Sequence, residues 1–582
     1  MTLHSRTLLS RRPRLSALRR AALIATLAAL VIGTAACASD PEPGSGGGRP
    51  SGRPAAGGTF TIALENYPER GLNPHYGASF DASQVLRNVY DSLVSEDASE
   101  NFHPWLATAW TISPDGKTYD FTLREDVTFH DGEKLDAAAV KTTLDRLRDP
   151  GYPSWTTLGT LQYSSVTAVD AVAPYKVRIS LSSPRADFLS TLAGLSGAIV
   201  APRSLQADKA TLTAGTGLVG SGPFVIDRVV PGQEIRFRKN AAYRWGPATA
   251  KHTGAAYVDS LVVKYVPEGS TRAGLLRSGE VNAISTVKAT DIGLFKGQNG
   301  FQYDQVGSVA SPTVVMLNVT DGATRDPRVR QAVAEGVDLD ALITSVTRGT
   351  QQRAHSLIPS DSKYHGKEAQ ARAADPDGAR RLLDQAGWTT RPGQDFRVDA
   401  SGAPLRLTLL ATTPTYPLDD VLKAWQAELR QDLGIDLRLQ YVENAQVYDL
   451  LARNDYQAFP RQVGGLDLSL QLNRAFGSTT PDLKYGQIDG ITLGSIVGGS
   501  KLADPQVDRW LVDATTATDP TRRADLFARV NDRILSENVA IPLFTDRNSV
   551  AATSAVHNLT TLFDPPRNVA NGWSYDIAVR TE

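Results

Sequence analysis

Eight histidines, one cysteine and a glycine-rich hexad are the residues of this chain with the most obvious capacity for chemistry. The histidines stand at 4, 75, 103, 130, 252, 355, 365 and 557, with no H-E-x-x-H and no close pair at helical spacing. A zinc site needs several such ligands converging on one point, so none is expected. His355 and His365 fall in a loop-like segment and read as solvated. Gly215-Thr216-Gly217-Leu218-Val219-Gly220 spells G-x-G-x-x-G. A dinucleotide loop needs a strand before it and a helix after it, so that the helix N-terminus meets the pyrophosphate. Here a strand-like "SGPFVIDRVV" follows and no apolar strand precedes, so the hexad reads as a turn. There is no G-x-S-x-G elbow and no P-loop. Asp419 and Asp420 read as helix-start residues favoured by the macrodipole. No catalytic residue, metal ligand or cofactor is assigned. The chain reads as a binder, not an enzyme, although a triad assembled from distant residues would escape such a scan.

The single cysteine, Cys37, has its own context. Residues 1–20 carry six arginines and no acid, and Ala21–Ala36 is an uncharged apolar run of 16 residues. Basic start, apolar middle and small-residue exit make an export signal. The run is short for a bilayer span, which needs about 20 residues. Ser10-Arg11-Arg12-Pro13-Arg14-Leu15 partly matches a twin-arginine signal, so Sec and Tat routes both stay open. Thr34-Ala35-Ala36-Cys37 resembles a lipobox, with Thr34 where leucine is usual. A disulfide would need a second cysteine. Cys37 is therefore expected to carry lipid, and residues 38–58, almost wholly Ala, Ser, Asp, Glu, Pro, Gly and Arg, to form a flexible tether.

About 525 residues remain, enough for two or three domains. Net charge is −1, and without the six signal arginines the remainder is more acidic. That balance argues against nucleic acid as a partner. The elements alternate. Phe60, Ile62 and Leu64 share one face of an opening strand, and apolar spacing turns helical around Val85–Tyr90. "TYDFTLREDVTFHDG" alternates as a pair of short strands between Asp115-Gly116 and Asp131-Gly132. Ala137–Leu147 reads as a helix, and Asp326-Pro327 starts another as N-cap and N1. Gly387 closes the helix of "DPDGARRLLDQAGW". "LRLTLLAT", "VLKAWQAELRQDLG" and "IDLRLQYV" make a βαβ unit with parallel strands. The fold class is mixed α/β.

Six segments together carry a resemblance: "VLRNVYDSLV" (85–94), "PWLATAWTISPDGKTYDFTLREDVTFHDGEKLDAAAV" (104–140), "GSGPFVIDRVVPGQEIRFRKNAAY" (220–243), "LLRSGEVNAI" (275–284), "DPRVRQAVAEGVD" (326–338) and "ARRLLDQAGW" (379–388). In order and spacing they resemble the family 5 extracellular solute-binding proteins of peptide and nickel ABC importers. The resemblance implies a two-lobed periplasmic-binding-protein-like fold of type II with an extra N-terminal subdomain and a ligand cleft between the lobes. It implies a signal peptide at 1–36, a lipidated tether at 37–57, lobe I at 58–315, lobe II at 316–545, and a return to lobe I at 546–582. It further implies a lipid-anchored monomer on the outer face of the cell membrane. Permease and ATPase subunits are the implied partners, and an oligopeptide or similar small solute the implied ligand.

The same resemblance points to ligand-binding positions. Asn66 and Tyr67 follow the first strand, and Tyr90 lies in "NVYDSL", where it could equally fill the core. In lobe II, Tyr416 stands in "TPTYP". Peptide-binding members often carry an acidic "DYPDP"-like stretch; this chain reads Arg461-Gln462-Val463-Gly464-Gly465-Leu466-Asp467 in its place. Asp467 alone remains to pair with an amine, and Arg461 can pair bidentately with a carboxylate. A metal-chelate or opine-like acidic solute is the alternative ligand, and a secreted peptide hydrolase the rival from another class.

Overall fold

Alternation decides the sheet of the extra subdomain. Tyr119, Phe121 and Leu123 are buried while Thr122 between them is exposed, so Thr118–Leu123 forms a strand. It lies between Ala107–Ile112 and Lys176–Leu181 in a four-stranded antiparallel sheet. The second expected strand does not form. Thr128 and Lys134 make one isolated bridge, because the His130 amide bonds Gly220 O at 2.9 Å and its ring bonds Gly222 O at 2.9 Å. The backbone donor a ladder would need is used elsewhere. This is a computed structural model describing residues 54–580, except 69–70, 76–79, 98, 150–151, 153–162, 413–415, 464–466, 479–486, 489–490, 493–498 and 563–573. Cys37, the export signal and most of the tether lie outside the described residues.

The main sheet has eleven strands. Its order from one edge is Asp436–Tyr441, Arg406–Ala411, Ala458–Gln462, Phe301–Leu317, Ala540–Thr553, Ala283–Ser285, Thr59–Leu64, Ser260–Tyr265, Glu234–Lys239 and Phe224–Val230, with Gln352–Arg353 added beside Ala540–Thr553. The two long central strands serve both lobes. On one side of them lie lobe I cores, one built on Phe60, Ile62, Val263 and Val550 and another on Ala63, Ile284, Phe295 and Ala551. On the other side lie lobe II cores, around Leu407, Leu409 and Trp425 and around Val314, Met316 and Phe527.

The βαβ unit is present as read. Arg406–Ala411 and Asp436–Tyr441 pair in parallel, and the joining helix Leu418–Leu433 buries Val421, Trp425, Leu429 and Leu433 at four-residue spacing. Gly434 ends it at φ 64°, a conformation that costs a residue with a Cβ about 1–2 kcal/mol. Asp326 caps Pro327–Glu335, and Asp136 caps Ala137–Leu147 by accepting from the Ala139 amide. The helix expected around Val85–Tyr90 covers only Phe80–Leu86. It stops where Arg87 turns inward to bond Ser92 Oγ and Ala193 O.

The glycine hexad is a turn. Gly215 closes the helix Lys209–Ala214 at φ 69°, and the strand Phe224–Val230 follows. Gly220 packs directly on Val89: a Cβ there would sit 2.0 Å from Val89 O and 2.7 Å from Tyr90 Cδ1. Gly217 has open space but φ 82°. Gly220→Ala should therefore destabilise by roughly 3 kcal/mol through overpacking. Gly217→Ala should cost only about 1 kcal/mol of backbone strain. Urea unfolding midpoints of the two variants would check this ranking.

Candidate functional site

Two strands run from one lobe into the other, so the hinge is main-chain hydrogen bonding. Phe301–Leu317 and Ala540–Thr553 pair antiparallel, with a register slip between Gly307↔Arg547 and Pro312↔Thr545 and a second between Thr313 and Val314. A proline cannot donate to a ladder, and bulges bend strands locally. The first slip therefore marks where the ribbon can flex.

A cavity of about 460 Å³ opens beside this slip. Gln305, Pro312, Arg353, His355, Thr545 and Arg547 are among its lining residues. Arg353 is nearly buried; its Nη1 lies 3.2 Å from Asp340 Oδ2 and its Nε donates to Pro542 O. Burial pulls its guanidinium below the usual value, against the opposing pull of Asp340. His355 Nε2 lies 3.2 Å from the other Asp340 oxygen, and His365 pairs with Glu368. Both histidines are thus paired with carboxylates, not merely solvated as expected. Arg547 donates from Nη2 to Gln352 Oε1 at 3.0 Å and has no ion pair among the described residues. Asp361 also lines the cavity, so its wall carries both signs.

The lobes also meet along a polar seam. Arg523, on the apolar face of Pro520–Ser536, donates to Asp467 Oδ1 at 2.7 Å, Tyr364 OH at 2.8 Å and Ala514 O at 2.9 Å. Its guanidinium lies over Tyr364 and Phe527. Asp467 caps Leu468–Phe476 through the Ser469 amide. Burial would raise its carboxyl, but Arg523 and Ser469 hold it below the ordinary range. From lobe I, Arg185 and Asp187 form a buried pair, and the Ala186 amide donates across to Thr515 O at 3.0 Å. Glu100, at φ 61°, accepts from Ser362 Oγ at 3.1 Å, while its main-chain oxygen accepts from Lys363 Nζ at 3.0 Å. Glu96 accepts from Ser190 Oγ. Burial, then the charges of Glu100 and Asp467, push its carboxyl up to about 8.

The residues chosen from sequence scatter around these features. Asn66 is exposed, and Tyr67 is half-buried with its ring edge-on to Tyr265 at 4.9 Å. Tyr90 has no exposed surface and its hydroxyl lies 3.5 Å from Leu218 O, so in this structure it fills the lobe I core. Tyr416 is half-buried, with its hydroxyl 3.4 Å from Thr350 Oγ1; Thr350 O accepts from Gln305 of the cavity wall. Arg461 lies opposite Val314 on the first hinge strand, and the Val463 amide bonds Pro312 O. Tyr416 and Arg461 are thus brought to the hinge, Asp467 to the seam, and Tyr90 to neither. Sequence reasoning missed Arg523, Glu96, Arg185 and Arg547. Arg523 had a signal: it shares a helical stripe with Phe527, Val530 and Ile534. The three-residue strand Val94–Glu96, buried throughout, carries no alternation to read. Among the described residues, no group of three or more His, Cys, Asp or Glu could hold a metal ion, and no helix is long and apolar enough to cross a membrane.

A family model for bacterial extracellular solute-binding proteins, family 5 (middle), matches residues 101–473. The chain belongs to this family. It is a solute-binding protein of the two-lobed kind that serves ABC importers. It is 27% identical over 481 residues to the nickel-binding periplasmic protein of Escherichia coli K12, covering 81% of this chain and 86% of that one. The glutathione-binding protein GsiB of Shigella dysenteriae is 26% identical over 491 residues, covering 82% and 87%. The crystal structure of NikA from Brucella suis in complex with Fe(III)-EDTA superposes with a TM-score of 0.75 at 27% identity, covering 90% of this chain and all of that one.

The seam pair makes a direct prediction. Asn caps helices as well as Asp, so Asp467→Asn removes the charge and leaves Arg523 buried against a neutral amide. The expected loss is on the order of 3 kcal/mol in urea unfolding. Cutting the exposed Arg178–Asp120 pair with Arg178→Gln should leave the midpoint unchanged.

Proposed function

We propose that this protein is a lipid-anchored extracellular receptor that encloses an oligopeptide or similar small solute between its lobes and passes it to an ABC permease. The observation that carries this reading is the pair of long strands shared by both lobes, with a register slip where they cross. Such a hinge lets two rigid lobes close on a ligand, and a permease can then distinguish loaded from empty receptor. The proposed limits are lobe I at 58–315, lobe II at 316–545 and a return segment at 546–582. The separate cores on either side of the hinge strands support a division close to this one, with Val314 and Val315 already packed in the lobe II cores. The protein acts as a monomer, since one lobe pair makes a complete cleft, and the bound solute leaves unchanged. After export, Cys37 carries the acyl chains and residues 37–57 tether the receptor beside permease and ATPase.

Two arginines near the hinge, Arg547 and Arg461, favour a narrower second reading, in which the solute presents a carboxylate. Arg547 and Arg461 are the groups that would receive it, with Tyr416 alongside. A polycarboxylate metal chelate satisfies this chemistry as well as a peptide C-terminus does. Glutathione, in the name of one relative, is a tripeptide with two free carboxylates; Fe(III)-EDTA, in complex with the Brucella suis protein, is a carboxylate chelate.

Native mass spectrometry of the purified protein, followed by denaturation and identification of what is released, tests both readings. A peptide mixture is the expected result, and a single acidic small molecule would select the second reading. For a bound tripeptide, Arg547→Gln and Arg461→Gln should each weaken binding of the free acid roughly tenfold or more, while leaving its C-terminal amide little changed. Calorimetry on both ligand forms would measure this. Separately, Cys37→Ser should move the protein from the membrane fraction to the medium, read by fractionation and immunoblot.

A further inference from the structure

Glu100 stands in the turn that joins Val94–Glu96 to Phe102–Pro104, and lobe I fixes that turn from its own side. Asp97 builds it: Oδ1 accepts from the Ser99 and Asn101 amides, both at 2.9 Å, and Oδ2 from His103 Nε2 at 2.8 Å. Val94 and Phe102, on the flanking strands, pack in the core built on Phe60 and Ile62. Glu100 is thereby held at φ 61°, where a Cβ crowds the following carbonyl and glycine would be free of strain. Strain of this kind persists where the surroundings over-determine it, and it clusters at clamps and switches.

Here the strained residue bonds to the other lobe. Oε1 of Glu100 accepts from Ser362 Oγ at 3.1 Å and Oε2 lies 3.4 Å from Lys363 Nζ. The same Nζ donates to the Glu100 main-chain oxygen at 3.0 Å. Lobe II seats its segment as firmly. The Ser362 amide bonds Pro359 O at 2.9 Å and the His365 amide bonds Ser362 O at 3.0 Å. Tyr364 packs edge-on against Phe527 and accepts from Arg523 Nη1 at 2.8 Å. Ser360 and Asp361 of this segment line the hinge cavity, but Ser362, Lys363 and Glu100 do not.

We propose that Glu100 is a latch, whose bonds to Ser362 and Lys363 set the balance between closed and open receptor whichever solute it carries. When the lobes part, the contacts on Glu100 from lobe II are lost together, while each turn keeps the shape its own lobe gives it. Both halves are ordered in advance, so little freedom is lost when they meet, and bonds to a charged group are the stronger kind. Glu100 is a positioning residue: it stands outside the cavity, so weakening it lowers the closed fraction and, with it, the affinity for every solute by the same factor.

The test is amide exchange on the full chain without solute. The Ala186 amide bonds Thr515 O across the seam at 3.0 Å and reports closure, whereas the Phe224 amide bonds Asn88 O at 2.9 Å inside lobe I and reports the integrity of that lobe. Glu100→Gly removes the carboxylate and suits the left-handed backbone, so the turn should keep its shape. Protection of Ala186 relative to Phe224 should fall roughly tenfold or more in this variant, with Phe224 itself unchanged. Ser362→Ala should lower the ratio as well. Added to Glu100→Gly it should lower it no further, because its partner across the seam is already gone. An unchanged ratio in Glu100→Gly, a fall shared equally by Phe224, or additive effects in the double variant would overturn the proposal. Should Glu100→Gly fail to fold, Lys363→Met, which keeps the apolar stem and removes the donor, decides: the ratio should fall, and an unchanged ratio overturns the proposal equally.

Discussion

The antiparallel ladder between Phe301–Leu317 and Ala540–Thr553 is the constraint on which everything else depends. Each strand has one end in lobe I and the other in lobe II, so the lobes are joined by hydrogen bonds as well as by chain. Ala283–Ser285 continues the sheet into lobe I and Ala458–Gln462 continues it into lobe II. A ladder resists stretching but tolerates twist and bend, above all at a bulge. The slip at Gly307–Pro312 thus leaves the connection strong along the strands and soft across them. That is the mechanical property a closing receptor needs.

The seam shows the opposite logic. Buried charges lose hydration, and their mutual attraction recovers that loss only when geometry is good. Arg523 meets this condition by using three donors on Asp467, Tyr364 and Ala514. Arg185 meets it with Asp187. Glu96 accepts from Ser190 Oγ. Each of these pairs lies within one lobe; the bonds that cross the seam are the Ala186 amide to Thr515 O and Ser362 and Lys363 to Glu100. Closed and open forms can then lie close enough in energy for a solute to decide between them.

The hinge cavity differs from the seam in being open to a solute. Arg353 and His355 share Asp340, and Arg547 faces an amide, not an acid. Arg547 thus stands on the ribbon that bends with an amide as its side-chain partner. A carboxylate bound there would touch a hinge strand directly, linking occupancy to the position of the lobes.

The sequence by itself determined the elements and their class. Alternation at Tyr119, Phe121 and Leu123, the Asp136 and Asp326 caps, and the βαβ unit around Leu418–Leu433 are local patterns, set by period, capping and φ. They were legible because each depends on residues a few positions apart. The family followed from six such segments in order. The candidate site was legible only in part. Arg461 and Tyr416, picked as ligand residues, lie at the hinge, but Tyr90 could not be separated from a core residue, since an inward tyrosine has the same pattern in either role. Glu96, Asp467, Arg185 and Arg523 come from four segments up to several hundred residues apart; Arg523 and Asp467 meet by the packing of helices within lobe II, and the rest is set by tertiary packing alone. The lost strand near His130 has the same cause: its backbone partners at Gly220 and Gly222 are distant in the chain. Charge pairing and burial depend on distances through space, and tertiary structure alone decides those.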